Sequence, residues 1–152
     1  MNRIVTITIS KESVLESIKN ITAYIGAKTP DASGNVAYDR IAIFEEDAAI
    51  IDNLWTLACN ELLPRYVRYI MSHENGDSEL MITLDMPSNA LENIQDTLTS
   101  SSEAFLAYCI LSKWCDIAKQ EDAKIYEEDI QVTADAIKSA LTGRVRPSRS
   151  RN

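Results

Sequence analysis

The sequence predicts a mainly α chain of α+β type: one domain, residues 1–143, built as a bundle of four to five helices with a small two-stranded β element. Three observations predict it. Ala104-Phe-Leu-Ala-Tyr-Cys-Ile-Leu111 is the longest uninterrupted apolar run, and it continues through Trp114 and Ile117 at helical spacing. Apolar residues recur at three- and four-residue intervals along most of the remaining chain. Two short segments instead alternate strictly and are rich in β-branched side chains.

The first alternating segment is Arg3 to Ile9, with Val5, Ile7 and Ile9 on one face and Thr6, Thr8 and Ser10 on the other. Ser10 then suits an N-cap, with Glu12 in the positive first turn, for a helix carried inward by Val14, Leu15, Ile18, Ile21 and Ile25 and ended by Gly26. Residues 27–37 hold a Pro, an Asp and a Gly in turn-forming context and read as an exposed loop. From about Asp39 a long helix is expected, with Glu45, Glu46 and Asp47 near its positive end and Ile51, Leu54, Trp55, Ala58 and Leu62 as its core stripe.

Pro64 interrupts that helix. The following residues 65–71 suit a strand by their β-branched and aromatic content, but Leu62, Tyr66, Tyr69 and Ile70 also continue a helical stripe past a kink, and the kinked helix is the favoured reading. Residues 72–78 read as a turn around Asn75-Gly76. Leu80, Ile82, Leu84 and Met86 then alternate as the second strand, closed by Pro87 and paired with the first.

Asn89 and Glu92 offer a capping box for a helix carried by Leu91, Ile94 and Leu98, and Ser100 to Ser102 mark a break. The hub helix, Glu103 to Lys119, follows. Its first stripe is Leu106, Ile110, Trp114 and Ile117, and its second is Ala104, Ala107, Leu111 and Ala118, so it needs neighbours on several sides. A last helix, from about Asp122 to Leu141, carries Tyr126, Ile130, Thr133, Ala134, Ile137 and Leu141 inward and stops at Gly143. The expected core thus centres on Trp55, Leu106, Ile110, Trp114, Ile130 and Ile137.

Residues 144–152 form a basic tail with too little to bury, expected to be disordered until a partner orders it. It holds Arg144, Arg146, Arg149 and Arg151 and no acid. The body therefore has 11 of the 15 basic and all 23 acidic side chains, a balance of −12 against +4 in the tail. An acidic body argues against a surface that coats nucleic acid, while the tail suggests a separate contact with an acidic protein patch or with phosphate. Cys59, Cys109 and Cys115 each lie in apolar helical sequence and read as buried thiols in a reducing compartment. No apolar run approaches the roughly 18 residues of a membrane span, and the opening residues lack the regions of a signal peptide, so a soluble protein made in the cytoplasm is expected.

Chemistry is hard to find. The aromatic-Glu-Glu-Asp run at Phe44 to Asp47 recurs at Tyr126 to Asp129, but a carboxylate-bridged metal pair also wants Glu-x-x-His pairs, and His73 is the one histidine. Acids at helix N-terminal turns explain both runs, and His73 in a turn has no nucleophile motif beside it. A phosphate-binding glycine loop, a Cys-x-x-Cys pair and a nucleophile elbow are all missing, so no enzyme, cofactor or metal is expected.

Ile21-Thr-Ala-Tyr-Ile-Gly-Ala-Lys28, Tyr38-Asp-Arg-Ile41 with Asp47 after it, Leu54-Trp55 and Glu61-Leu62, Leu84-Asp-Met-Pro-Ser-Asn89, Leu111-Ser-Lys-Trp114 and Arg144-Val-Arg-Pro147 span nearly the whole chain. Together they resemble the small structural proteins encoded beside portal and capsid genes in tailed phages and prophages of Bacteroides-type bacteria. That resemblance implies a head-to-tail connector, or adaptor: a helical bundle with a small β element, assembled as a ring, commonly of twelve copies, beneath the portal. Such a ring continues the channel for packaged DNA, belongs to the virion and is made in the host cytoplasm. The implied partners are further copies, the portal and other connector or tail proteins. Connector families embrace neighbours with terminal segments, which here points to Arg144, Arg146, Pro147, Arg149 and Arg151; residues 27–37 and 72–78 are candidate contact loops. Two other classes stay open, a small cytoplasmic interaction or regulatory bundle and a DNA-binding module acting through the arginine tail.

Overall fold

The structure is a computed structural model that describes residues 2–28, 34, 41–118 and 123–147, with the side chains of 123–125 left undescribed. Most of the loop predicted over 27–37, the helix start near Asp39, and Arg149 and Arg151 lie outside those residues. The described chain is mainly helical with a small antiparallel sheet. Its elements are β1 (Arg3–Ser10), α1 (Lys11–Lys28), α2 (Ala48–Leu62), β2 (Ile70–Asn75), β3 (Glu79–Met86), α3 (Ile94–Ile117) and α4 (Ala123–Thr142).

The sheet has three strands, not two, in the order β1-β3-β2, and β3 is antiparallel to both neighbours. The alternation in β1 and β3 works as read: Val5, Ile7 and Ile9 with Leu80, Ile82, Leu84 and Met86 form one buried face. The unexpected strand is β2. The chain leaves α2 through a 3₁₀ turn, Leu63–Tyr66, with Pro64 in its first turn. Tyr69 then receives a bond from Asp85 N to its carbonyl at 2.8 Å, which delivers the next residues to the free edge of β3. A kinked helix would leave that edge unpaired, so β pairing wins over the helical stripe. The strand absorbs His73, which is exposed on it, and leaves only Gly76 to Ser78 for the turn, where Gly76 N donates to Glu79 O at 2.9 Å.

Several helix boundaries also differ. Ser10 does cap α1, its Oγ accepting from Ser13 N at 3.2 Å, but the helix runs past Gly26 to Lys28. Ala42 to Phe44 are not helical, so α2 starts only after the 3₁₀ turn Glu45–Asp47. The Asn89/Glu92 capping box does not form: α3 begins at Ile94, and the Asn89 carbonyl accepts instead from Val145 N at 2.8 Å. The serine run does not break α3, which continues from Ile94 to Ile117. Ser102 is fully buried there, and its hydroxyl hydrogen-bonds the hydroxyl of fully buried Tyr66. A polar side chain inside a helix is tolerated because a partner 36 positions away satisfies it.

α3 is the hub, touching α1, α2, α4 and β1. Trp55, Leu106, Ile110, Trp114 and Ile137 are all core residues, while Ile130 is half-buried and packs on the core's edge. Ile117, assigned to the first hub stripe, is 52% exposed because it closes the last turn beyond its neighbours. Trp114 is buried and its indole N–H donates to the Ile41 carbonyl at 2.6 Å, which fastens the segment before α2 to the hub. Tyr108 and Tyr126 stack with ring centres 6.3 Å apart between α3 and α4.

Candidate interaction surface

The predicted partner residues begin with Arg144, and it is not a free cation. Its Nη1 donates to the carbonyls of Leu141 and Gly143, each at 2.7 Å, and its Nη2 donates to the Tyr69 hydroxyl at 3.3 Å. The last carbonyls of a helix lack intrahelical partners and carry partial negative charge, so the guanidinium is a C-terminal cap for α4. Arg144 also bridges Ala90 across an isolated antiparallel pair, and the adjacent Val145 N–H is held by Asn89. The expectation of a disordered tail from residue 144 is therefore corrected: 144 and 145 are stitched to the body by backbone pairing, which needs no apolar cluster. A Cβ at Gly143 would lie 2.9 Å from Leu91 Cδ1, so the missing side chain lets this pairing close. Arg146 and Pro147 are exposed and line a shallow hollow with Arg3, Asn89 and Glu92.

A second cationic feature was not foreseen. Tyr66, held inward by Ser102, fixes the turn between α2 and β2 so that Arg65 and Arg68 stay exposed. Across from them α4 buries Ala134, Ile137 and Leu141 and leaves Lys138 exposed. The groove between, about 470 Å³, has Ala134 and Leu141 at its apolar base and Arg65, Arg68 and Lys138 along it. Its one carboxylate, Asp135, accepts from Gln131 at 2.9 Å. Among the described residues the ion pairs are Lys11 with Asp52 and Lys113 with Glu61, each at 2.8 Å, so none of the three groove cations is paired with a carboxylate there. Arg65 does lie over the Phe105 ring, 5.8 Å from its centre. The groove joins segments about seventy residues apart, which is why periodicity did not find it; Arg65-x-x-Arg68 beside a proline was the available signal.

The acidic counterpart is the 3₁₀ turn ahead of α2. Asp47 turns back, its Oδ2 accepting from Phe44 N at 2.8 Å, while Glu45 and Glu46 are exposed. The thiols do not contribute a reactive group. Burial pushes Cys59 up to about 11, and burial together with the Glu61 carboxylate pushes Cys109 up to about 12. The Cys109 thiol donates to Glu61 Oε2 at 3.4 Å. Among the described residues no three His, Cys, Asp or Glu side chains converge on a point, and no helix is long and apolar enough to cross a membrane. Comparison with protein-family models, with curated proteins and with solved structures returned no match.

Proposed function

We propose that this chain is a non-catalytic virion subunit, a head-to-tail connector that assembles as a ring beneath a portal and lines the path of packaged DNA. The observation that carries this reading is that the separated sequence segments on which the resemblance rests meet in the fold. Leu111 to Trp114 reaches Tyr38 to Ile41 through the indole bond to the Ile41 carbonyl, and Leu84 to Asn89 reaches Arg144 to Pro147 through the Asn89–Val145 pair. Residues that share contacts belong to one structural unit, so the resemblance follows tertiary structure rather than scattered coincidence. The charge distribution supports the same reading. An acidic body beside DNA repels phosphate and favours sliding over sticking. Exposed cations at Arg146 and along the groove leave defined places for acidic protein neighbours.

The test is light scattering and electron microscopy of the chain mixed with the portal protein of the same virion. A closed ring seated on the portal is the expected result. A mixture in which the chain neither binds the portal nor forms a ring refutes the connector reading. Duplex-DNA affinity that survives physiological salt would favour the DNA-binding alternative instead.

A further inference from the structure

The acidic turn and the cationic groove lie at opposite ends of one helix. α2 spans 15 residues, so about 22 Å of rigid rod separates Glu45 and Glu46 at its start from Pro64 and Arg65 just past its end. One copy therefore cannot fill its own groove with its own turn. A second copy placed ahead of the first can. We propose that the groove lined by Arg65, Arg68 and Lys138 is the docking site for the Glu45–Glu46 turn of another copy of this chain, giving head-to-tail association along α2.

Charge complementarity commits the groove to this occupant. Three exposed cations without carboxylate partners among the described residues, on a chain of net charge −8, call for an anionic segment. The turn supplies two exposed carboxylates on adjacent residues, and the bond from Phe44 N to Asp47 holds its shape before any partner arrives. Duplex DNA is the poorer occupant, because the whole body repels phosphate while a protein turn brings only local charge. The contact is heterologous: each copy offers its turn to one neighbour and its groove to another, so repetition gives a ring where the rotation closes and a filament where it does not. This deepens the connector reading by naming the surface between copies, yet it requires no portal, so the two can fail separately.

The experiment is sedimentation velocity on the full chain over a wide concentration range, at low and at physiological salt. Single exposed charge pairs are weak and screened, so mass should rise with concentration at low salt and fall as salt is added. Arg68→Glu with Lys138→Glu, and separately Glu45→Lys with Glu46→Lys, should each weaken association at least about tenfold. Mixing the two reversed proteins should restore it, since the acidic groove of one meets the basic turn of the other. Arg68→Gln with Lys138→Gln should give a smaller loss, and it replaces the reversal if that variant melts early. The proposal is overturned by a chain that stays monomeric at every concentration in low salt, by association indifferent to both reversals, or by a mixture that does not recover. It is also overturned by a monomer whose groove cations prove to retain duplex DNA.

Discussion

Ser102→Ala should cost more than its size suggests. Tyr66 and Ser102 are both fully buried and each satisfies the other's hydroxyl, so removing either leaves a polar group in the core without its partner. An orphaned buried hydroxyl costs about 1–3 kcal/mol. The two halves are not equal. In Tyr66→Phe the surviving Ser102 hydroxyl lies one helical turn from the Leu98 carbonyl and can fall back on it, so a loss near 1 kcal/mol is expected. In Ser102→Ala the Tyr66 hydroxyl projects from a 3₁₀ turn with no such neighbour, and the loss should approach about 3 kcal/mol. The double variant removes both groups and should lose only about 1 kcal/mol, a coupling of roughly 2–3 kcal/mol between the sites. Urea unfolding of the four proteins measures this, since each kcal/mol moves the midpoint by about 0.3–1 M. Additivity within about 0.5 kcal/mol would refute the claim that this pair is what lets a serine run cross the middle of α3.

Trp114→Ala should remove about 3–5 kcal/mol by cavity formation and orphan the Ile41 carbonyl besides, a large share of a total near 5–15 kcal/mol; ordinary stability in urea would place Trp114 outside the core. Trp114→Phe keeps most of the ring and should lose mainly the hydrogen bond, about 1–3 kcal/mol. Stability should also fall at alkaline pH. Burial raises Cys59 from 9.0 to about 11, Cys109 from 9.0 to about 12 and Tyr66 from 10.0 to about 12. The unfolded chain therefore sheds these protons first, and stability that is full below pH 9 should decline from there towards pH 12, with a smaller decline in the Tyr66→Phe variant; a flat melting temperature across that window would contradict the burial of all three. Deleting residues 148–152 should leave the melting temperature unchanged while weakening portal attachment through loss of Arg149 and Arg151. Deleting 144–152 should in addition lower it, because Arg144 caps α4 and Val145 is bonded to Asn89; equal melting temperatures for the two truncations would refute that docking.

Much of the fold is written in local pattern. Val5, Ile7 and Ile9 against Leu80, Ile82 and Leu84 announce two strands because a period of two fits nothing else, and Ala134, Ile137 and Leu141 announce α4 at its helical spacing. What escaped depended on distant partners. Residues 70–75 pair only because β3 has a vacant edge, and Ser102 stays helical only because Tyr66 arrives from another element. Arg144 looks like a loose cation until the end of α4 supplies carbonyls for it. Of the candidate surface, the sequence showed a basic tail but not the groove, since Lys138 meets Arg65 and Arg68 only through tertiary packing.

The edge strand β2 has a bearing on behaviour at high local concentration. Every residue from Met71 to Asn75 is exposed, and one side of the strand is unpaired, an open template onto which a stray chain could add. The register shift between Ile70 and Ser72 spoils that template: it makes Met71 the extra residue of a bulge and twists the edge out of line. Glu74 adds a charge facing outward beside Met81. A subunit meant to meet its own kind only through chosen surfaces must refuse fibre-like stacking at its sheet edge, and here an irregular, hydrophilic strand performs that refusal.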